Sequence, residues 1–391
     1  MVNVSTNKHN PQTRSSRQAK LTIQTHFPQS RTAAIHQLHR ALVTSPSPLP
    51  NTIFSLNFLD QPFGTAWTYS RAADPAFVSK SPDARNFLMP HFSFWAWTLP
   101  FIGSMDRAAR AIADLEAELP FAHKIAKAVW RGTSWFNSVQ SPRLRQNLLR
   151  AAKGKPWADV EALRWTGSNS REAENALAIE DFCRYKYVLH TEGIAYSGRF
   201  QFLQMCASVV VTPPILWLQH TTHLVRPLFS SDLDLDLELD KRGQETTDKI
   251  GGDAASADSN AAKAAGSGPA TSRRSAKSGS GGGSWVPSQR VRNSWPVQYR
   301  PEEANIVFVA PDWSDLGATI AWLEDHPDVA EGIATRQREL FVGGGYFSPA
   351  AETCYWRALV RGWAEVARTE GMGWEDMQGV TFEAFSLTNG D

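Results

Sequence analysis

Apolar positions recur at helical spacing from Thr32 to Val43, where Ile35, Leu38 and Leu42 share one face. The proline-rich stretch Ser45–Pro50 ends that pattern. A continuous apolar run, Thr52–Leu59, predicts a buried strand that leads into Asp60-Gln61-Pro62, where proline stops the ladder. An aromatic block with Phe92, Phe94, Trp95 and Trp97 comes next, then a predicted helix over Met105–Leu119 with Ser104 placed to cap it. Ile125–Trp130 reads as a strand running into Arg131-Gly132-Thr133, and residues 142–152 as a helix. The second half begins near Glu172. Cys183–Leu189 has strand character, Glu192–Phe200 is a loop of small residues, and Phe202–Val211 is apolar. A strand, a small-residue loop and a fresh element is an arrangement that gathers backbone N–H groups around a phosphate. Ile306–Val309 is a short strand, and Asp315–Glu324, Pro327–Phe341 and Cys354–Arg368 have helical spacing. Strands alternating with helices in both halves predict an α/β fold with a cleft between two layered units.

Two stretches break the pattern. Residues 1–31 are polar and aperiodic and read as a disordered tail. Residues 231–294 open on an acidic run, Asp232–Asp240, and continue rich in Ser, Gly and Ala, as a solvated loop does. The predicted division is therefore an N-terminal unit over 32–170 and a C-terminal unit over 171–391, the latter interrupted at 231–294.

Net charge is +1, which argues against nucleic acid or an anionic membrane surface as the partner. No apolar run reaches the length that crosses a bilayer. The segment before Asp60 carries Lys8, Arg14, Arg17, Lys20, Arg31 and Arg40 and no acid, which fits an organelle transit peptide. A disordered tail, or a chain that has lost its true N-terminus, fits the same residues and is the preferred expectation. Cys183, Cys206 and Cys354 cannot all pair within one chain and have no metal-site spacing, so cysteine usage leaves the compartment open. The 15 tryptophans suit the apolar C–H faces of sugars, although burial in a core is the commoner use of each.

An Asp at the end of a strand, such as Asp60, faces the loops where α/β folds place chemistry; a turn residue before Pro62 is the other reading. Arg199, beside Ser197 and Gly198, carries a planar fork able to hold two phosphate oxygens. Arg131 is a second candidate cation and could equally pair with an acid to hold the fold together. Phe94, Trp95 and Trp97 could line a cleft or pack beneath it. Asp232, Asp234 and Asp236 imitate a metal-binding motif but recur too regularly within an acidic run to fix an ion. His91 and His190 have no partner that spacing identifies.

Three stretches, taken in order, resemble the CAP10 family of glycosyltransferases, relatives of the protein O-glucosyltransferases and of fungal capsule xylosyltransferases. They are Asn57–Pro62 with Phe92–Trp97, then Trp130–Thr133, then Tyr185–Gly193 with Tyr196–Phe200. The helices around Asp315-Leu316, Trp322-Leu323 and Ile333-Ala334 are similar to the family's closing helices. The resemblance covers roughly 32–230 and 304–370. It implies a GT-B-like fold, two Rossmann-like domains facing across a cleft. It also implies an inverting, metal-independent transfer of glucose or xylose from UDP-glucose or UDP-xylose to a protein or glycan hydroxyl, with no resident cofactor. Asp60 takes the place of the catalytic base, and Arg131, Gly193, Ser197, Gly198 and Arg199 fall to the donor site. The family implies the lumen of the endoplasmic reticulum or Golgi. This chain departs from it in having Glu192-Gly193 where many relatives have Asp-Gly, in the length of the 231–294 loop, and in showing no anchor or signal. A non-catalytic relative, or a scaffold that recruits partners through that loop, is the competing expectation.

Overall fold

A computed structural model describes residues 27–74, 77, 85–166, 172–233, 285–368 and 379–388. The first helix, α1 (Phe27–Val43), starts before Thr32, so 27–31 belong to a helix and not to the expected tail. Three short strands follow: β1 (Leu56–Asn57), β2 (Ala66–Thr68) and β3 (Asn86–Leu88), forming a small parallel sheet in the order β1-β2-β3. The strand expected over Thr52–Leu59 is thus shorter than its apolar run. Asn57 ends it: its Nδ2 donates to the Phe63 carbonyl at 2.9 Å, while its Oδ1 accepts from the Leu59 N–H at 3.0 Å. A side chain that bonds its own backbone in this way turns the chain.

Helix α2 (Met105–Glu118) carries the expected cap, with the Ser104 hydroxyl accepting from the Arg107 N–H. The main sheet is built from β4 (Ile125–Gly132), β5 (Ala158–Ala162), β6 (Tyr185–Leu189), β7 (Val209–Thr212), β8 (Pro227–Phe229) and β9 (Ile306–Phe308). Their order is β8-β9-β7-β6-β4-β5, all parallel. Alternate side chains point to opposite faces of a strand. Val129, Val188, Val210 and Phe308 accordingly enter one core with Met105 and Ile112 of α2. Ala128, Trp130, Tyr187, Val209, Val211 and Val307 enter the other. That second face is covered by α3 (Leu144–Ala152), α4 (Leu316–Asp325) and α5 (Pro327–Arg338), through Leu148, Ile320 and Ile333. Burial on both faces explains why β7 reads Val-Val-Val-Thr with no polar alternation.

Strands β4 and β5 come from the expected N-terminal unit and β6 to β9 from the C-terminal one, so one sheet spans the boundary drawn at residue 170. Beside it the small sheet packs with α1 and with α6 (Pro349–Val366) around Leu38, Trp67, Tyr69, Trp356 and Val360. The insert is also better ordered at its end than expected. Residues 234–284 lie outside the described region, Asp234 and Asp236 among them. Trp285 donates to the Ser230 hydroxyl at 2.6 Å, Gln289–Ser294 is helical, and Trp295 donates to the Ile215 carbonyl. These indoles have apolar faces to bury and one N–H each to satisfy, which pins the segment.

Cys183 and Cys206 form a disulfide whose Cα atoms are 5.0 Å apart, bracketing β6 and the loop that follows; Cys354 is free and exposed. Glu116 lies close to both sulfurs, but a disulfide offers a metal no thiolate. No helix among the described residues is long and apolar enough to cross a membrane.

Candidate active site

The chain leaves β4 for β5 on one side, then crosses back to β6 on the other. Strand order therefore reverses between β4 and β6. In open parallel sheets, ligands occupy the crevice outside the carboxyl ends of the strands at such a point. Here the carboxyl end of β4 is Arg131-Gly132, followed by Thr133, and the loop Glu192–Phe200 follows β6.

The loop is tied down from several directions. Its first turn closes through a Gly193 N–H to Tyr196 carbonyl bond of 2.9 Å, and a Cβ at Gly193 would stand 2.8 Å from that carbonyl. The Glu192 carboxylate turns away from the crevice and accepts the N–H groups of Leu216 and Trp217, each at 2.8 Å. Burial pushes its pKa up to about 8, against the pull of these bonds. Gly198 rests on the His91 ring, where a Cβ would come within 2.6 Å of Nε2. His91 is held in turn by Ser93 and Gln201, and burial, then the charge of His220, lowers it to about 3. It is a neutral buttress for the loop, a role its spacing did not reveal. His190 is likewise lowered to about 3, by burial and then by Arg199 and Arg145.

Arg199 projects from the loop toward β4, donates one N–H to the Arg131 carbonyl and lies over the Phe182 ring. Its Nε and Nη2 are uncommitted among the described residues, and burial lowers its pKa to about 10. The helix after it, Phe200–Leu203, is a single turn, shorter than the element expected and too short to gather much dipole. The Ser197 carbonyl accepts from Gln219 at 3.4 Å and fixes the loop's middle.

Arg131 behaves otherwise. Its guanidinium pairs with Asp159 at 2.7 Å and also donates to the carbonyls of Asn175, Asp159 and Trp130. Of the two roles open to it, the structure shows the ion pair, and its fork is occupied by these partners. Arg145, which drew no attention in the sequence, lies buried on α3 instead. Its Nε donates to the Glu192 carbonyl and its Nη1 to the Thr133 carbonyl. Burial, then the nearby Arg199 charge, lowers it to about 9. A signal existed: Arg145, Leu148 and Ala152 fall on one stripe of α3, and an arginine on a buried stripe needs a polar reason to be there.

Asp60 reaches the same loop from the small sheet. It lies in the turn that Asn57 makes, with its carbonyl accepting from the Ser70 hydroxyl at 3.2 Å. Its carboxylate has no hydrogen-bond or ion-pair partner among the described residues. Burial raises its pKa, although the residue itself is exposed. It faces Tyr196, whose phenol is pushed well above its ordinary value by burial and then by the Asp60 charge. Asp60 thus lies near the loop that carries Arg199. The aromatic block divides: Phe94 is core, Trp97 packs on His91 and Phe202, and Trp95 stacks on His36 of α1.

The family model for Glycosyl transferase family 90 matches residues 18–230, more than half of the chain. The chain belongs to that family. All the residues just described from Asp60 to Gln219 lie inside the matched region. Protein O-glucosyltransferase 1 of Homo sapiens is 25% identical over 193 residues, which is 46% of this chain and 47% of that protein. O-glucosyltransferase rumi of Drosophila melanogaster is 26% identical over 176 residues, 41% of each chain. The O-glucosyltransferase rumi homolog of Aedes aegypti is 26% identical over 175 residues. The chain spans about half the length of the curated relatives it matches.

Proposed function

We propose that this family 90 member is a glycosyltransferase that moves glucose or xylose from a UDP-sugar to a hydroxyl on a protein or glycan. One observation carries the reading: Asp60, whose carboxylate has no partner among the described residues, lies near Tyr196 of the loop Glu192–Phe200, and that loop also carries Arg199, whose Nε and Nη2 are uncommitted among those residues. The family relatives named O-glucosyltransferase support the class of reaction.

In this mechanism the acceptor oxygen attacks the anomeric carbon from the face opposite the leaving group and inverts it. Asp60 takes the acceptor's proton as the new C–O bond forms, and its raised pKa makes it a better acceptor of that proton than an ordinary aspartate. The bond to the nucleoside diphosphate breaks, and its electron pair leaves with the phosphate. Arg199 meets that growing negative charge, so no metal ion is needed for it. Gly193, Ser197 and Gly198 shape the backbone on which the donor rests. The small sheet acts as the acceptor-side lobe and the large sheet as the donor-side lobe of a GT-B-like arrangement. The Cys183–Cys206 disulfide supports an oxidising compartment, the lumen of the endoplasmic reticulum or Golgi.

The test is UDP release from UDP-glucose and from UDP-xylose, each with chelator present, in the wild type and in Asp60→Asn. Release that persists with chelator and collapses in the variant supports the reading and names the donor. Donor binding with no release by either protein, across a screen of acceptors, would favour a non-catalytic relative.

A further inference from the structure

Strand β6 pairs with β4 only as far as Val129, opposite Val188. Beyond that point the Gly132 carbonyl still faces the β5 side, accepting from the Leu163 N–H at 2.9 Å. The carbonyls of Arg131 and Thr133 face the other way, toward the β6 side, where no strand among the described residues pairs with them. Two guanidiniums fill the gap: Arg199 takes the Arg131 carbonyl and Arg145 takes that of Thr133. Carbonyls two residues apart on an extended chain lie roughly 6.6 Å apart.

Each cation is fixed before any ligand arrives. Arg145 lies over the Trp130 ring and Arg199 over Phe182, and each holds a backbone carbonyl. Arg145 is 5% exposed, and its Nη2 has no partner among the described residues. That nitrogen is 3.8 Å from where a Cβ of Gly193 would stand, so the glycine leaves open the space in front of it. Among the described residues, neighbouring acids do not pair with either cation. Glu192 is turned to Leu216 and Trp217, and Asp159 is taken by Arg131. Two desolvated like charges near one another are costly, and the Arg199 charge lowers the proton affinity of Arg145. An anion between them removes that cost.

We propose that Arg145 is the second cation of a diphosphate site, gripping one phosphate of the donor while Arg199 grips the other. This rests on the donor-binding reading of Arg199, and it adds a residue and a division of labour. The grip strengthens as the sugar departs and the diphosphate gains charge.

Calorimetric titration of the full chain with inorganic pyrophosphate, UDP and UMP tests it. The variants are Arg145→Gln, Arg145→Lys and Arg150→Gln, the last removing an equal charge from an exposed position on the same helix. The expected result is at least ten-fold weaker binding of pyrophosphate and UDP in Arg145→Gln, a smaller change for UMP, and no change in Arg150→Gln. Arg145→Lys keeps the charge but loses the fork, and it should fall between; it carries the test if the Gln variant does not fold. Wild-type affinity for UDP in a folded Arg145→Gln overturns the proposal and leaves the donor reading standing. Pyrophosphate binding that depends on Arg145, in a chain that ignores UDP, upholds the site and sinks the nucleotide reading. A wild type that binds neither overturns both.

Discussion

At the scale of single residues, the site is a set of groups kept from their usual partners. Among the described residues Asp60 has no cation paired with it and Arg199 no acid, and Glu192 is buried with its proton. Asp60→Asn keeps the size of the side chain and removes the base. Its kcat should fall by roughly 10²–10⁴-fold, the usual contribution of a general base, with donor affinity unchanged. Glu192 sets a pH dependence. In the folded chain it keeps its proton up to about 8, while the unfolded chain releases it near 4.5. Between those values the folded state binds more protons, so stability falls as pH rises through that window. Thermal midpoints measured across it should decline in the wild type and stay flatter in Glu192→Gln, whose amide oxygen can still accept from Leu216 and Trp217. Gly198→Ala forces a methyl against His91 at 2.6 Å. Overpacking of this kind costs about 1–3 kcal/mol, and a loss of turnover larger than the loss of stability would show that the loop has moved.

At the scale of elements, helices with a clear stripe were legible from spacing alone. α2 and its Ser104 cap, and α5 behind its N-terminal Pro327, stand close to where periodicity put them. The strand before Asp60 was misjudged because hydrophobicity continues past Asn57 while the hydrogen-bonded ladder does not. Arg145 was missed because its meaning depends on what α3 packs against, which periodicity cannot supply. The disulfide belongs to this scale too. Cys183 and Cys206 are 23 residues apart, and closing a loop of that size contributes on the order of 3 kcal/mol. Replacing both with Ala should lower the unfolding free energy by about that much in a denaturant titration. Turnover should drop as well, because the bridge spans the base of the loop that carries Arg199.

At the scale of the whole molecule, alternating strands and helices announced an α/β fold, and the large parallel sheet bears that out. The sheet's span across residue 170 was not legible, since pairing between β4 and β6 is a long-range choice among several apolar strands. The insert's two ends meet where Trp285 reaches Ser230. Replacing 234–284 with a short flexible linker should therefore leave the thermal midpoint and UDP release close to wild type. Extending the deletion through Trp295 should lower both, because it removes the Ile215 and Ser230 anchors. A protein that works mainly as a scaffold through the insert would lose its partner in the first deletion. The division of labour across the loop is tested most directly by calorimetric titration of UDP into the wild type, Asp60→Asn and Arg199→Gln. The expected result is unchanged affinity in Asp60→Asn and at least ten-fold weaker binding in Arg199→Gln; lost affinity in Asp60→Asn, or wild-type affinity in Arg199→Gln, would contradict it.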